Sequence, residues 1–117
     1  MSNPTPHPGL TPDLRQRLAA AVARKAWELN QKLTQLLASQ DVDLSTLGLG
    51  GGTGTRQSKI EKLRRYFDSV VAAQKRSHTD AFGMCLDCDE PIPVAALTEI
   101  PWRLRCAACE ERARRDG

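Results

Sequence analysis

Aromatic side chains are scarce, with two Trp, two Phe and one Tyr in 117 residues. Five rings cannot anchor a large globular core, and Leu and Ala supply most of the apolar material, as in packed helices rather than a β-sandwich. No apolar run approaches the roughly 18 residues that a transmembrane helix needs, so no membrane association is expected. The first eight residues, Met1 to Pro8, contain neither a basic n-region nor an apolar h-region and do not read as a secretory signal. The expected compartment is therefore the cytoplasm, where paired cysteines more often bind metal than form disulfides. Histidine is limited to His7 and His78, with no nucleophile–base pair or His cluster, so no enzyme is expected. The net charge is +3 with charged residues at 26%, neither strongly acidic nor a polybasic tail. The length suits one domain with an extension.

Residues 1–9 hold three prolines and a glycine and read as a disordered arm. Thr11-Pro12-Asp13 is a helix start: a capping hydroxyl, a proline suited to the first turn, and an acid at the positive end of the dipole. Apolar residues then recur at Ala19, Val22, Ala26, Leu29, Leu33 and Leu36, alternating three and four apart as a heptad seam that Leu18 and Leu37 widen. Five glycines within residues 48–54 forbid a continuous helix. A phosphate-cradling loop would need a G-K-[ST] ending and a preceding strand, and neither is present. Ser58-Lys59-Ile60-Glu61 reads as a capping box opening a second helix, with a seam at Ile60, Leu63, Phe67, Val70, Gln74, Ser77 and Ala81. Two heptad helices joined by one loop read as an antiparallel hairpin. The expected organisation is mainly α: a hairpin over residues 10–81 with a flexible Gly-rich tip over 41–57, then a four-cysteine module over 82–117 that ends in a short C-terminal helix.

That last segment holds every cysteine. Cys85-Leu86-Asp87-Cys88 and Cys106-Ala107-Ala108-Cys109 form C-x2-C-x17-C-x2-C, the spacing of a four-thiolate zinc site. Each knuckle aims two sulfurs at one point, and four protein ligands leave no place for water, so one structural zinc is expected. Neither pair lies in a thioredoxin-like βαβ setting, which counts against redox dithiols. The module's apolar side chains are too few to fold alone, so metal binding must contribute folding energy. Arg103 and Arg105 can offset the charge of a tetrathiolate. Trp27 and Trp102 are expected to be packing residues, Trp27 beside the first seam and Trp102 covering the metal module. Neither histidine is needed as a ligand.

Phe82-Gly83-Met84-Cys85-Leu86-Asp87-Cys88-Asp89-Glu90-Pro91-Ile92-Pro93, followed by Leu97, Ile100-Pro101-Trp102 and Cys106-Ala107-Ala108-Cys109-Glu110, resembles the C4-type zinc finger of the DksA/TraR family. The resemblance covers about 30 residues closely; the hairpin before it agrees in architecture. It implies a bacterial transcription regulator that binds RNA polymerase directly, inserts a helical hairpin into the secondary channel and does not bind DNA specifically. Position 89 is Asp where the knuckle usually has Gly, and Asp tolerates the left-handed conformation. The family's hairpin tip is short and acidic. Here Asp41 and Asp43 are its loose analogues, followed by a Gly-rich stretch.

Charge supplies a competing expectation. Residues 10–40 carry five basic and two acidic side chains, and residues 58–81 carry six and three, so each helix is +3. Lys59, Lys62, Arg64, Arg65, Lys75 and Arg76 form a candidate basic face for a nucleic-acid-binding or adaptor protein. Few aromatics interleave with them, which argues against single-strand stacking. A solvated helix face explains the same charges. The chain is expected to be a monomer, with an oligomerising coiled coil as the remaining alternative.

Overall fold

A computed structural model of the chain describes residues 6–42 and 55–116. Helix α1 runs Pro12–Leu37, α2 Arg56–Arg76, α3 Val94–Glu99 and α4 Ala107–Asp116. The Gly-rich run and Asp43 lie outside the described residues. Among the described residues no helix is long and apolar enough to cross a membrane.

The start of α1 follows its sequence signals. Thr11 is the N-cap and accepts a hydrogen bond from Leu14 N at 3.1 Å, and Pro12 needs no donor at the first helical position. Helix α2 begins earlier than expected. Its N-cap is Thr55, whose hydroxyl accepts from Ser58 N at 3.1 Å; the Ser58–Glu61 capping box is therefore one turn inside the helix. Helix α2 also ends earlier, with Ser77 as C-cap. Ser77 and Thr79 compete for the backbone with their own side chains. Ser77 Oγ donates to Gln74 O at 2.5 Å, and Thr79 Oγ1 to Arg76 O at 2.8 Å.

The two helices pack as a hairpin pinned at both ends. At the base, Arg15 Nη2 donates to Thr79 O at 2.6 Å. Towards the tip, Arg56 Nη2 donates to Leu36 O at 2.6 Å and to Ser39 Oγ at 3.0 Å. Leu36 carries one of the carbonyls that a helix end leaves without an intrahelical partner, and a cation there also opposes the negative end of the α1 dipole. Ser39, just past the helix, takes a left-handed φ of 70°. The seam between the shafts is Leu18, Val22, Ala26, Leu29, Leu33 and Leu36 from α1, and Leu63, Val70 and Ala73 from α2. Five expected seam positions are corrected. Ala19 is only half-buried, Leu37 is 55% exposed, Ala73 rather than Gln74 is the buried residue one turn after Val70, and Ser77 and Ala81 lie at or beyond the end of α2.

The buried side chains form two clusters. One fills the hairpin shaft and takes in Val42, with Ile60, Tyr66, Phe67, Trp102 and Leu104 against it. The other joins Leu10 and Leu18 to Phe82, Cys85, Ile92, Leu97 and Cys109 of the C-terminal module. The module therefore borrows apolar surface from the hairpin base. The expected disordered arm is corrected for residues 6–9. His7 is 6% exposed, its Nε2 lies 2.6 Å from Ile92 O, and its Nδ1 accepts from Gly9 N at 3.0 Å. With Nδ1 accepting, Nε2 carries the proton and donates to Ile92 O. The sequence marked this stretch as an arm because Pro and Gly dominate it, yet one buried imidazole with both nitrogens satisfied docks it.

Leu29→Ala removes a fully buried side chain from the middle of the seam and should destabilise the protein by about 2–5 kcal/mol. Leu37→Ala should change stability by no more than about 0.5 kcal/mol, because that side chain stays in solvent. Urea unfolding followed by circular dichroism measures both. Equal losses would place Leu37 in the seam.

Candidate metal centre

The first knuckle is a tight reversal. Cys85 N donates to Glu90 O at 2.8 Å, Asp89 N to Cys85 O at 3.1 Å and Ile92 N to Gly83 O at 2.8 Å, with Met84 bridged to Pro91. Two positions need positive φ. Gly83 has φ 82°, which calls for glycine, and a Cβ there would also press on Leu10 Cδ1 at 2.9 Å and His7 Cδ2 at 3.0 Å. Asp89 has φ 59°, the left-handed conformation expected of it.

The second knuckle opens α4. Glu110 N donates to Cys106 O at 2.9 Å, so Cys106 stands at the helix start and Cys109 lies in its first turn. Leu86 N donates to Leu104 O at 2.7 Å and ties the two knuckles together. Arg105 Nε lies 2.8 Å from Asp87 Oδ2, a second tie across the site. Arg103 instead donates to Ala96 O at 3.3 Å.

These ties bring the four sulfurs of Cys85, Cys88, Cys106 and Cys109 within 4.8 Å of one another. The four thiols are free rather than paired as disulfides, and Cys88 Sγ and Cys106 Sγ are 3.8 Å apart. Four sulfurs at about 2.3 Å from a central ion define a tetrahedron with edges of about 3.8 Å. The donor set and its spacing therefore fit a closed tetrathiolate site, in which a metal supplies structure and leaves no open coordination position.

Electrostatics around the sulfurs point the same way. Burial pushes the Cys85 thiol up, but the backbone N–H groups of Cys106, Cys88 and Asp87 outweigh it and lower the thiol to about 6. The neighbouring Cys106 sulfur, then burial, push Cys109 up to about 12. At Cys88 the Glu90 backbone N–H favours the thiolate, yet the Cys85 sulfur and burial prevail and the shift is upward. One sulfur is prepared as an anion, and two others resist ionisation while no cation faces them.

No protein-family model and no curated protein sequence matches the chain. Among solved structures, transcription factor DksA2 from Pseudomonas aeruginosa is similar over 87% of this chain and 84% of its own, with a TM-score of 0.60 and 18% sequence identity. The chain has a DksA-type fold. That fold was expected from the knuckle residues, and the hairpin, the four-cysteine cluster and the short C-terminal helix all take part in it.

Within the DksA-type fold, the other candidate residues separate by environment. Asp41 sits beyond the end of α1 with its side chain 93% exposed, paired to Lys59 at 3.2 Å; Asp43 lies outside the described residues. Of the basic face, Lys62, Arg64, Arg65 and Lys75 are exposed. Lys59 is held by Asp41. Arg76 is turned inward and donates to Ala81 O at 3.2 Å and Met84 O at 3.0 Å, which joins α2 to the first knuckle. Trp102 does not cover the metal module as expected. It packs on the hairpin core, and Lys25 Nζ stands 5.2 Å from its ring and 5.7 Å from that of Tyr66. Burial raises the Tyr66 phenol, opposed by a hydrogen bond from Trp102. This Lys25–Tyr66–Trp102 junction couples module to shaft, and its partners are 77 and 36 residues apart from Trp102 in sequence, beyond the reach of any local pattern.

The chain should bind one zinc through the four cysteines, read by native mass spectrometry. Binding at pH 7 should release at least two protons, those of Cys88 and Cys109, whose thiols lie above their ordinary value. Apparent affinity should therefore rise with pH through the neutral range. Calorimetry in buffers of different ionisation enthalpy measures the release; binding without proton release would contradict the site.

Proposed function

We propose that this chain is a transcription regulator of the DksA/TraR type, a non-enzymatic bacterial cytoplasmic protein that acts on RNA polymerase by protein–protein contact. The supporting observation is the joining of a long hairpin to a four-cysteine module through shared apolar clusters and the Lys25–Tyr66–Trp102 junction. In this reading zinc occupies the cysteine site, the module docks on the outside of the polymerase, and the shaft enters the secondary channel. Asp41 and Asp43 travel at its tip, where carboxylates act on the region of the active-site metal, since hard divalent cations favour oxygen ligands.

The nucleic-acid or adaptor reading draws on fewer residues, because Lys59 and Arg76 are already engaged within the protein. Lys62, Arg64, Arg65 and Lys75 remain for it.

Pull-down with purified bacterial RNA polymerase, with and without a secondary-channel competitor, tests the proposal. Wild type should bind and be displaced by the competitor. Asp41→Ala/Asp43→Ala should keep binding and lose most of its effect on transcription in vitro. If that variant regulates normally while charge reversal at Lys62, Arg65 and Lys75 abolishes function, the basic-face reading replaces this one. Binding to nucleic acid that weakens steeply with salt would support the same replacement.

A further inference from the structure

The chain leaves α1 through a built turn. Ser39 N donates to Leu36 O at 3.1 Å and Gln40 N to Gln35 O at 2.9 Å, the paired bonds of a helix end closed by a left-handed residue. That residue is Ser39, with φ 70°, where glycine is the usual occupant. A left-handed serine persists only where its surroundings hold it. Arg56, the first residue of α2, does so: its Nη2 bridges Leu36 O at 2.6 Å and Ser39 Oγ at 3.0 Å. On the far side of Asp41, Val42 is 4% exposed and belongs to the shaft core. The backbone of Asp41 is therefore anchored on both sides, although its side chain is 93% exposed. Lys59, one turn along α2 from Arg56, brings its Nζ to Asp41 Oδ1 at 3.2 Å, with its own side chain only 19% exposed. Ser39, Asp41, Arg56 and Lys59 line one hollow of about 290 Å³.

We propose that Arg56 and Lys59 are positioning residues for Asp41: the first turn of α2 fixes the direction in which the Asp41 carboxylate leaves the shaft. The inference rests on the reading above, in which that carboxylate acts within the secondary channel. A carboxylate on an unanchored chain meets its target in few of its conformers, and fixing it beforehand removes that entropic cost. The two cations divide the work. Arg56 fixes the backbone, because it holds Ser39 in the left-handed turn that aims the next residues. Lys59 fixes the side chain, because it takes one carboxylate oxygen and leaves the group open to solvent. An ion pair this exposed is weak, so the ammonium yields the oxygen to a divalent cation, which favours oxygen ligands. Neither role requires Arg56 or Lys59 to touch the polymerase.

Titration of the zinc-loaded full chain into transcription by purified bacterial RNA polymerase separates two quantities: the half-effective concentration, which reports binding, and the maximal effect, which reports the tip. Lys59→Met keeps the aliphatic stem and removes the pair. It should leave the half-effective concentration and circular dichroism unchanged and lower the maximal effect about two- to fivefold, the worth of one exposed ion pair. Lys59→Arg should keep the wild-type effect. Against the residual effect of Asp41→Asn, adding Lys59→Met should change nothing, because the lysine acts through that carboxylate. Arg56→Met should lower the maximal effect in the same way, and adding Ser39→Gly should recover it, because glycine takes the left-handed turn unaided. Loss in Asp41→Asn with full effect retained in Lys59→Met and Arg56→Met overturns the positioning role and leaves the regulator reading standing. Equal loss from Lys59→Met with and without the Asp41 carboxylate also overturns it, and makes Lys59 a polymerase contact. A wild type without effect on transcription removes the regulator reading itself, and an Asp41→Asn variant with full effect removes the role of that carboxylate; the positioning role falls in either case.

Discussion

Four sulfur atoms within 4.8 Å of one another cannot all be thiolates unless a cation sits among them, because like charges at that distance in a partly dry site repel strongly. The rest of the C-terminal module follows from that constraint. The first knuckle must reverse within a few residues, so Gly83 and Asp89 take left-handed backbone. The second must present its sulfurs from a helix start, so α4 begins immediately after Cys106. The module's own apolar residues then close over the ligands, and Cys85 and Cys109 belong to that buried cluster.

A metal knuckle alone would swing freely against the hairpin. Three sets of contacts prevent it. Leu10, Leu18 and His7 reach the module from the N-terminal side. Arg76 reaches the Met84 carbonyl from α2. Trp102 returns from the module to the shaft, with Lys25 over its ring. A cation held against two partly dehydrated aromatic faces is worth about 1–2 kcal/mol, small beside the apolar clusters but directional, and it fixes one orientation. At the other described end of the shafts, Arg56 binds the last turn of α1 and Asp41 pairs with Lys59.

The metal site was legible in the sequence because its determinants are local: two C-x2-C pairs, Gly83, and an Asp at position 89 that tolerates positive φ. The hairpin was legible from periodicity, which reports burial averaged over many turns. What the pattern could not supply was where periodicity ends. Helix α2 stops at Arg76 because Ser77 and Thr79 bond to the preceding carbonyls, so the seam does not continue through Ser77 to Ala81. Nor could it supply contacts between distant segments. His7 looked like part of a loose arm, and its burial depends on Ile92, 85 residues away. Trp102 looked like a cover for the metal, and Trp27 like a packing residue; local pattern cannot distinguish a ring that packs within the chain from one left at the surface. Residues 43–54, with Asp43 among them, lie outside the described residues.

The proposed function requires the four-cysteine module and the far end of the hairpin to work in one complex. Photo-crosslinking from a reactive side chain at position 41, in the complex of the zinc-loaded chain with bacterial RNA polymerase, tests that union most directly. The account predicts adducts on polymerase peptides that line the secondary channel next to the active centre, lost when a channel competitor is present. Adducts confined to the outer surface of the polymerase, or to nucleic acid, would contradict it.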